Sequence, residues 1–312
     1  MNQSRQITEG ALFAALYIAL FVFFMFVPFL STIALILLPF PFVLYASRYN
    51  WKPALLMFAV VLLITILITH FIMIPLVVVT ALGGIMIGAA IHQKVSAYET
   101  WARGTAGFVV GFLFAYLFAV LVFDVNIMNQ VDQFVNTANE QSKALLHQFG
   151  VSNIDQQIEI IEEQMMIMKH LIPMMLVAIS IFFAFIVQWI SYKLLNRIEK
   201  ANYHFPPFRT LSFPTAIVWV YFVALLVSFF QTDKEGVLFL GAQNIMILAG
   251  LLMAIQGLSF VFFYCYEKKV SKAIPIVVVI LTLIFSPLLL PFIRILGIID
   301  IGFGLRNRIT KK

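Results

Sequence analysis

The chain has 312 residues, 62% of them hydrophobic and 11% charged, with a formal net charge of +6. A soluble domain carries about 25% charged and 45–50% apolar residues, and 20 basic plus 14 acidic side chains cannot cover this length with a water-soluble surface. That excludes a soluble enzyme, a nucleic-acid-binding module and a disordered chain, and it predicts an all-α, polytopic transmembrane helical bundle.

A spanning helix needs about 20 mostly apolar residues. Nine stretches are candidates: residues 8–27, 32–47, 53–69, 71–91, 104–123, 171–192, 212–230, 237–264 and 273–293. The first is long enough to span, and it lacks the short core and small-residue cleavage site of a signal peptide. The second and third are short, as tilted or re-entrant segments are. Only His70 separates the third from the fourth, with Pro75 close behind, so the pair reads as a tight hairpin or a broken helix. A break at membrane depth survives only where protein or a cavity covers the freed backbone groups.

Lysine and arginine placement sets the expected orientation. With a cytoplasmic N-terminus, five inner segments carry twelve basic residues, and the outer loops up to residue 271 carry only Lys143, Lys169 and Lys234. Nine spans would leave Arg306, Arg308, Lys311 and Lys312 outside. A bend at Pro287 or Pro291 would return that tail to the inside, so the expected count is eight to ten spans in a bacterial cytoplasmic membrane.

Residues 124–170 form the one large non-membrane segment, with seven acids against two lysines. Ile154, Ile158, Ile161, Met165, Met168 and Ile172 recur at helical spacing. Ser152, with Asp155 three residues on, suits a capped helix start, and Gly150 suits a turn before it. The segment is expected to be a helical hairpin, either a lid or partner surface, or a solvated connector. The division that follows is a five-span region (1–123), an acidic extracytoplasmic hairpin (124–170), and a C-terminal membrane region of three to five spans with a basic tail (171–312).

Residues four apart share a helix face, and three spans carry small residues there: Ala11, Ala15 and Ala19; Gly84 and Gly88; and Gly107, Gly111, Ala115 and Ala119. Small side chains let membrane helices approach closely. Such faces pack within one subunit or dock another protein. Gly84, Gly88, Gly107 and Gly111 are the expected helix-packing positions.

Polar residues within spans are costly, which makes each a functional candidate. His70 reads as an interfacial residue or a ligand. Asp124 and Asn126 end the fifth span and face either a solute or water. Gln243, Asn244 and Gln256 in the eighth span bind a polar ligand or hydrogen-bond across helices. Arg294 lies within an apolar run and snorkels or pairs with Asp300 if the chain bends. Cys265 is the single cysteine, which excludes an internal disulfide and a multi-cysteine metal site; its apolar aromatic surroundings mark a packing residue.

The stretch TEGALFAALYIALFVFFMFVPF, residues 8–29, is an alanine-spaced first helix ending at a proline. A proline-interrupted segment (Pro39, Pro41) follows, and then the glycine runs GGIMIG and GFVVGF. This pattern, over residues 1–192, resembles the S components of energy-coupling-factor transporters. That resemblance implies a helical solute-binding subunit whose first-helix alanines, here Ala11, Ala15 and Ala19, contact a transmembrane coupling protein, with uptake driven by ATPase subunits. The spans after residue 192 have no counterpart in a six-helix S component. The length, the acidic loop and the ending GIIDIGFGLRNR resemble, over most of the chain, the YybS-like family of bacterial membrane proteins, in which Gly297, Asp300 and Arg306 form a signature.

No glycine-rich run ends in Lys-Ser or Lys-Thr, so the chain is not expected to hydrolyse ATP itself. No HExxH, paired histidines or intramembrane carboxylate cluster occurs, so neither a metalloprotease nor a metal site is expected. No catalytic residue and no cofactor are expected. The leading expectation is a non-enzymatic S-component-like protein that binds a small solute or a partner subunit. The alternative is a membrane scaffold or regulator. The expected partners are the lipid bilayer, a transmembrane coupling protein and ATPase subunits, with no nucleic acid.

Overall fold

The computed structural model describes residues 3–27, 33, 36–124, 127–148, 164–165, 167–233 and 236–310. Every regular element among them is helical. In chain order these are α1 (Gln3–Phe26), α2 (Phe40–Tyr49), α3 (Trp51–Thr69), α4 (Ile74–His92), α5 (Ala97–Phe123), α6 (Ile127–Gln148) and α7 (Ile172–Glu199). A 3-10 turn (Phe208–Thr210) follows, then α8 (Ala216–Phe230), α9 (Val237–Glu267), α10 (Ala273–Ile284), α11 (Ser286–Phe303) and α12 (Leu305–Thr310). Seven of the described helices, α1, α3, α4, α5, α7, α9 and α11, are long and apolar enough to cross a membrane.

The second expected span, read as short and tilted or re-entrant, is interrupted. Ile33, Ile36 and Leu37 are helical, Leu38 and Pro39 form a turn, and the helix after them, α2, has ten residues, about 15 Å at 1.5 Å per residue, half a bilayer core. Pro39 and Pro41 set its start, since proline fits a first turn and not a helix interior. Phe40 to Ala46 are all buried, as in a helix apolar all round. The third and fourth spans form a hairpin, α3–α4, with His70 in a positive-φ conformation at the corner.

The chain divides into two compact units, Met1–Phe205 and Pro206–Lys312. This differs from a division at the acidic segment, because α7 packs on α5 in the first unit. Trp101 Nε1 of α5 donates to the Ile181 carbonyl of α7 at 2.8 Å.

In the first unit α4 is central. Of its apolar window 72% is buried, against 17–28% for α1, α3, α5 and α7. Its glycines explain the position. A methyl at Gly84 would lie 2.6 Å from the Pro39 carbonyl oxygen, and one at Gly88 would lie 2.5 Å from that of Val43, both on α2 or its start. From α5, methyls at Gly107 and Gly111 would lie 2.6 Å from the Leu82 carbonyl oxygen and 2.7 Å from Val79 Cα. Only hydrogen fits at these four positions, so α4 lies backbone to backbone with both neighbours. Beyond α5, the acidic segment begins with α6. Lys169 Nζ bonds Asp132 Oδ1 at 2.5 Å, bringing the end of that segment back beside α6. Its Gly150, Ser152, Asp155, Ile154, Ile158 and Ile161 lie outside the described residues.

In the second unit α9 is the hub, packing on α8, α10 and α11. The expected ninth span is split: α10 ends at Ile284 and α11 starts at Ser286, with Pro287 in its first turn. The twelve residues of α10 reach about 18 Å before the chain reverses. As a result α11 runs parallel to α9: Gly250 meets Arg294, Met253 meets Gly297, and Gln256 meets Asp300. Methyls at Gly257 or Gly297 would collide with the Ile293 or Met253 carbonyl. The tail returns to the end of the unit that carries Arg209, where Arg306 Nη1 donates to the Arg209 carbonyl at 2.8 Å.

Packed interfaces tolerate added methyls poorly, at about 1–3 kcal/mol each. Gly88→Ala is therefore expected to lower the thermal midpoint of the detergent-purified protein. Gly241→Ala, where nothing lies within 4 Å of the new methyl, is expected to leave it unchanged.

Candidate functional site

Helix α1 has two contrasting faces. Phe13, Ala14, Tyr17 and Phe21 are buried, and the Tyr17 hydroxyl meets Thr80 Oγ1 of α4 at 2.9 Å. Ala11, Ala15 and Ala19 lie on the exposed side. Ala15 and Ala19 line an open apolar groove of about 730 Å³, with Val22, Phe26 and Ile64 among its other walls. Ala11 lines a second, of about 410 Å³, with Gly10, Leu56 and Val60. The two grooves follow one another along α1 and α3. Their depth comes from the short alanine side chains between the longer chains of the two helices.

A charge cluster ties the start of α1 to the ends of α2 and α7. Arg48 Nη1 bonds Glu9 at 2.9 Å and its Nε bonds Glu199 at 2.6 Å, while Arg5 bonds Glu9 from the preceding turn at 2.9 Å. Burial opposes the Arg48 charge, but the hydrogen bonds to Glu199 and Glu9 outweigh it and hold its pKa above the ordinary arginine value. Arg48 also stacks on Phe13, 5.5 Å from the ring centre. One arginine thus fixes three elements beside the alanine groove.

The second unit contains a buried polar network. The Asp300 side chain is 2% exposed and takes Arg306 Nε at 2.9 Å and Gln256 Nε2 at 2.5 Å. Gln256 Oε1 accepts from the Phe213 amide at 3.0 Å. The single Ser259 hydroxyl hydrogen is shared between the Phe208 and Leu211 carbonyls, 2.8 and 3.0 Å away, and its oxygen accepts from Arg306 Nη2 at 3.0 Å. Every bond ends on a side chain or on the segment before α8, so the network clasps α9, α11, α12 and that segment together. Arg294 pairs with neither Asp300 nor any other acid described; it lies against Gly250, and its buried Nε has no hydrogen-bond partner among the described residues.

The candidate solute residues do not converge. His70 and Asp124 are exposed helix caps in the first unit. They share one end of it, as the stacking of Phe71 on Phe123 at 6.0 Å requires. Gln243 and Asn244 are half-buried in the second unit, and Asn244 Nδ2 donates to Leu240 of its own helix at 2.8 Å. Asn126 lies outside the described residues. None of the four described residues lines either groove, or the apolar pocket of about 200 Å³ between α4, α5 and α7. The Thr80 hydroxyl at that pocket is already bonded to Leu76 and Tyr17. Among the described residues no three of His, Cys, Asp and Glu come together as metal ligands.

Sequence reasoning missed Glu9, Glu199 and Ser259. Glu9 was visible as the single acid in the first apolar helix, and Ser259 as the residue one turn past Gln256. It also missed Gln188, fully buried on α7 and bonded to the Ala97 carbonyl and to Tyr192 at 2.8 Å each.

Among the described residues, seven apolar helices of spanning length define a polytopic integral membrane protein of the all-α class. More narrowly, over residues 15–301 the chain belongs to the family described as "Predicted membrane protein (DUF2232)". It is similar to "Uncharacterized protein YybS" of Bacillus subtilis (strain 168), with 30% identity over 310 residues, 99% of this chain and 100% of that protein. No solved structure matches.

Removing one partner of a buried ion pair leaves an uncompensated charge, at about 3–5 kcal/mol. Asp300→Ala is therefore expected to lower the thermal midpoint strongly, and Asp300→Ala/Arg306→Ala to recover part of the loss. Equal melting of both variants and the parent would show that the clasp does not hold this unit together.

Proposed function

We propose that the chain is a non-enzymatic membrane subunit, related in design to S components, whose first-helix alanine face seats a helix of a transmembrane coupling protein. Energy for any transport comes from ATPases on other chains. The observation that carries this reading is the groove itself: Ala11, Ala15 and Ala19 are exposed, evenly spaced, and line two successive apolar depressions between α1 and α3. Lipid tails are as apolar as such a groove, so shape is the discriminating property. A second helix gains van der Waals contact only where small residues admit its backbone.

Ala15→Leu fills the groove without touching the buried face of α1. Co-purification of the coupling protein is expected to fall sharply while the thermal midpoint stays within about 1 °C, as for surface substitutions away from packed features. A stable variant that retains all its partners would count against docking at this face.

A scaffold or regulator without a solute is the second reading. It is favoured by the scatter of His70, Asp124, Gln243 and Asn244 over two units and by the lack of free polar groups at the pocket between α4, α5 and α7. Mass spectrometry of small molecules retained through a mild-detergent purification separates the two: a solute-binding subunit carries a defined molecule, and a scaffold carries lipid alone.

The basic-residue bias supports a bacterial cytoplasmic-membrane orientation with the N-terminus and residues 193–209 inside. Glu140 and Asn202 are both exposed. In a Cys265→Ser background, Glu140→Cys is expected to react with an impermeant thiol reagent in intact cells, and Asn202→Cys only after lysis. The reverse pattern inverts the topology.

A further inference from the structure

We infer that the basic end of the second unit binds the phosphate of an acidic phospholipid, in the pocket that Arg209, Lys269 and Lys272 share. This pocket of about 580 Å³ lies between the segment before α8, the end of α9 and the start of α10. Three cationic side chains line it and no acidic one does. Glu267, the neighbouring acid, is exposed and lies outside the lining.

Local structure aims the cations into one space. After α9 the Lys268, Lys269 and Val270 amides bond back to Tyr264, Tyr266 and Cys265, and Lys269 takes a positive φ of 52°. This left-handed ending turns the chain at once, so that Lys269 and Lys272 border the same depression. Arg209 enters from the opposite wall. Its guanidinium stacks over Tyr266, 3.9 Å from the ring centre, and its carbonyl is held by Arg306. Ser259 bonds the Phe208 and Leu211 carbonyls on either side. The wall that presents Arg209 is therefore fixed by the buried clasp.

The three charges have no carboxylate partner among the described residues, whereas Arg48 and Arg103 of the first unit are ion-paired with Glu9, Glu199 and Glu99. Three like charges around one depression repel one another, and an anion relieves that repulsion. Phosphate suits this geometry because an arginine fork and lysine point charges both bind it well. Basic pockets at the ends of membrane helices take acidic lipid headgroups in this manner.

The walls distinguish a lipid from a soluble anion. Phe262, Pro275 and Ile276 make the rest of the pocket apolar. From Ile276, an exposed strip of Ile280 and Leu283 continues along α10 at helical spacing. Such a strip gives an acyl chain a track leading away from a headgroup seated on the cations. A free phosphate has no use for it.

The test is native mass spectrometry of the full chain in mild detergent with added cardiolipin, phosphatidylglycerol or phosphatidylcholine, and separately with inorganic phosphate. The acidic lipids are expected to stay bound where phosphatidylcholine does not. Arg209→Gln/Lys272→Gln is expected to weaken their retention about 30-fold, from the loss of two basic contacts. Lys272→Arg should keep it, and Lys193→Gln/Arg197→Gln, basic positions elsewhere, should leave it unchanged. Melting in phosphatidylcholine alone checks folding of the double variant; if it does not fold, Lys272→Gln, at an exposed position, takes its place. Retention by the variant equal to the parent, equal binding of phosphatidylcholine, or equal loss in the control variant would each overturn the site. Protection by inorganic phosphate without retention of acidic lipid would overturn the lipid and leave a site for a soluble phosphate.

Discussion

Close backbone contact at glycine is the interaction on which both units depend. In water, apolar helix faces associate because contact removes them from solvent. In a bilayer that drive is absent, and helices hold together through van der Waals contact and hydrogen bonds between them. Here α4 meets α2 through Gly84 and Gly88 and meets α5 through Gly107 and Gly111, with room for hydrogen only. In the second unit Gly257 and Gly297 do the same for α9 and α11. The polar features follow from these contacts. Tyr17 reaches Thr80 because α4 is drawn to the centre, and Asp300 reaches Gln256 because two glycines let α11 lie directly on α9.

The buried charges follow the same economy of position. Asp300 is enclosed, yet both of its charged and polar partners come from adjacent turns or from the parallel helix. Arg48 sits at a helix end, where α1 contributes Arg5 and Glu9 to the cluster and α7 contributes Glu199. An ion pair at a surface is worth little by itself. A single guanidinium shared by two carboxylates on different helices does more, because it fixes where three elements end.

Much of the fold was legible in the sequence because membrane helices obey a length rule and a composition rule. Six of the seven long helices match expected apolar stretches, with ends displaced by up to seven residues where polar turns extend them; the seventh, α11, starts within the last one. The failures were local and physical. Residues 32–47 read as a short span, tilted or re-entrant, because a short helix buried on all sides is as apolar as one facing lipid; Pro39 and Pro41 marked the interruption. Residues 273–293 read as one span, with a bend at Pro287 or Pro291 as the way to return the tail; the break falls at Phe285, and apolar composition alone does not place it. Partner identities were the least legible part. Asp300 could have met Arg294 or Arg306, and only the parallel course of α9 and α11 decides for Arg306. Glu9 met Arg48 across 39 residues, a distance no local pattern encodes.

The two kinds of small-residue face part company in the structure, and the difference bears on function. The glycine faces of α4 and α5 are consumed by contacts inside the first unit, where a methyl would not fit. The alanine face of α1 is open, and its methyls form the floor of a groove. Glycine serves where backbones touch permanently. Alanine leaves a smooth, shallow channel that costs nothing to expose to lipid and that a second helix can enter and leave, because lipid replaces it without an unpaired polar group on either side. An open apolar face of that kind can be covered by lipid at no cost, whereas the clasp around Asp300, which would leave a buried charge unpaired if opened, suits a contact that stays closed.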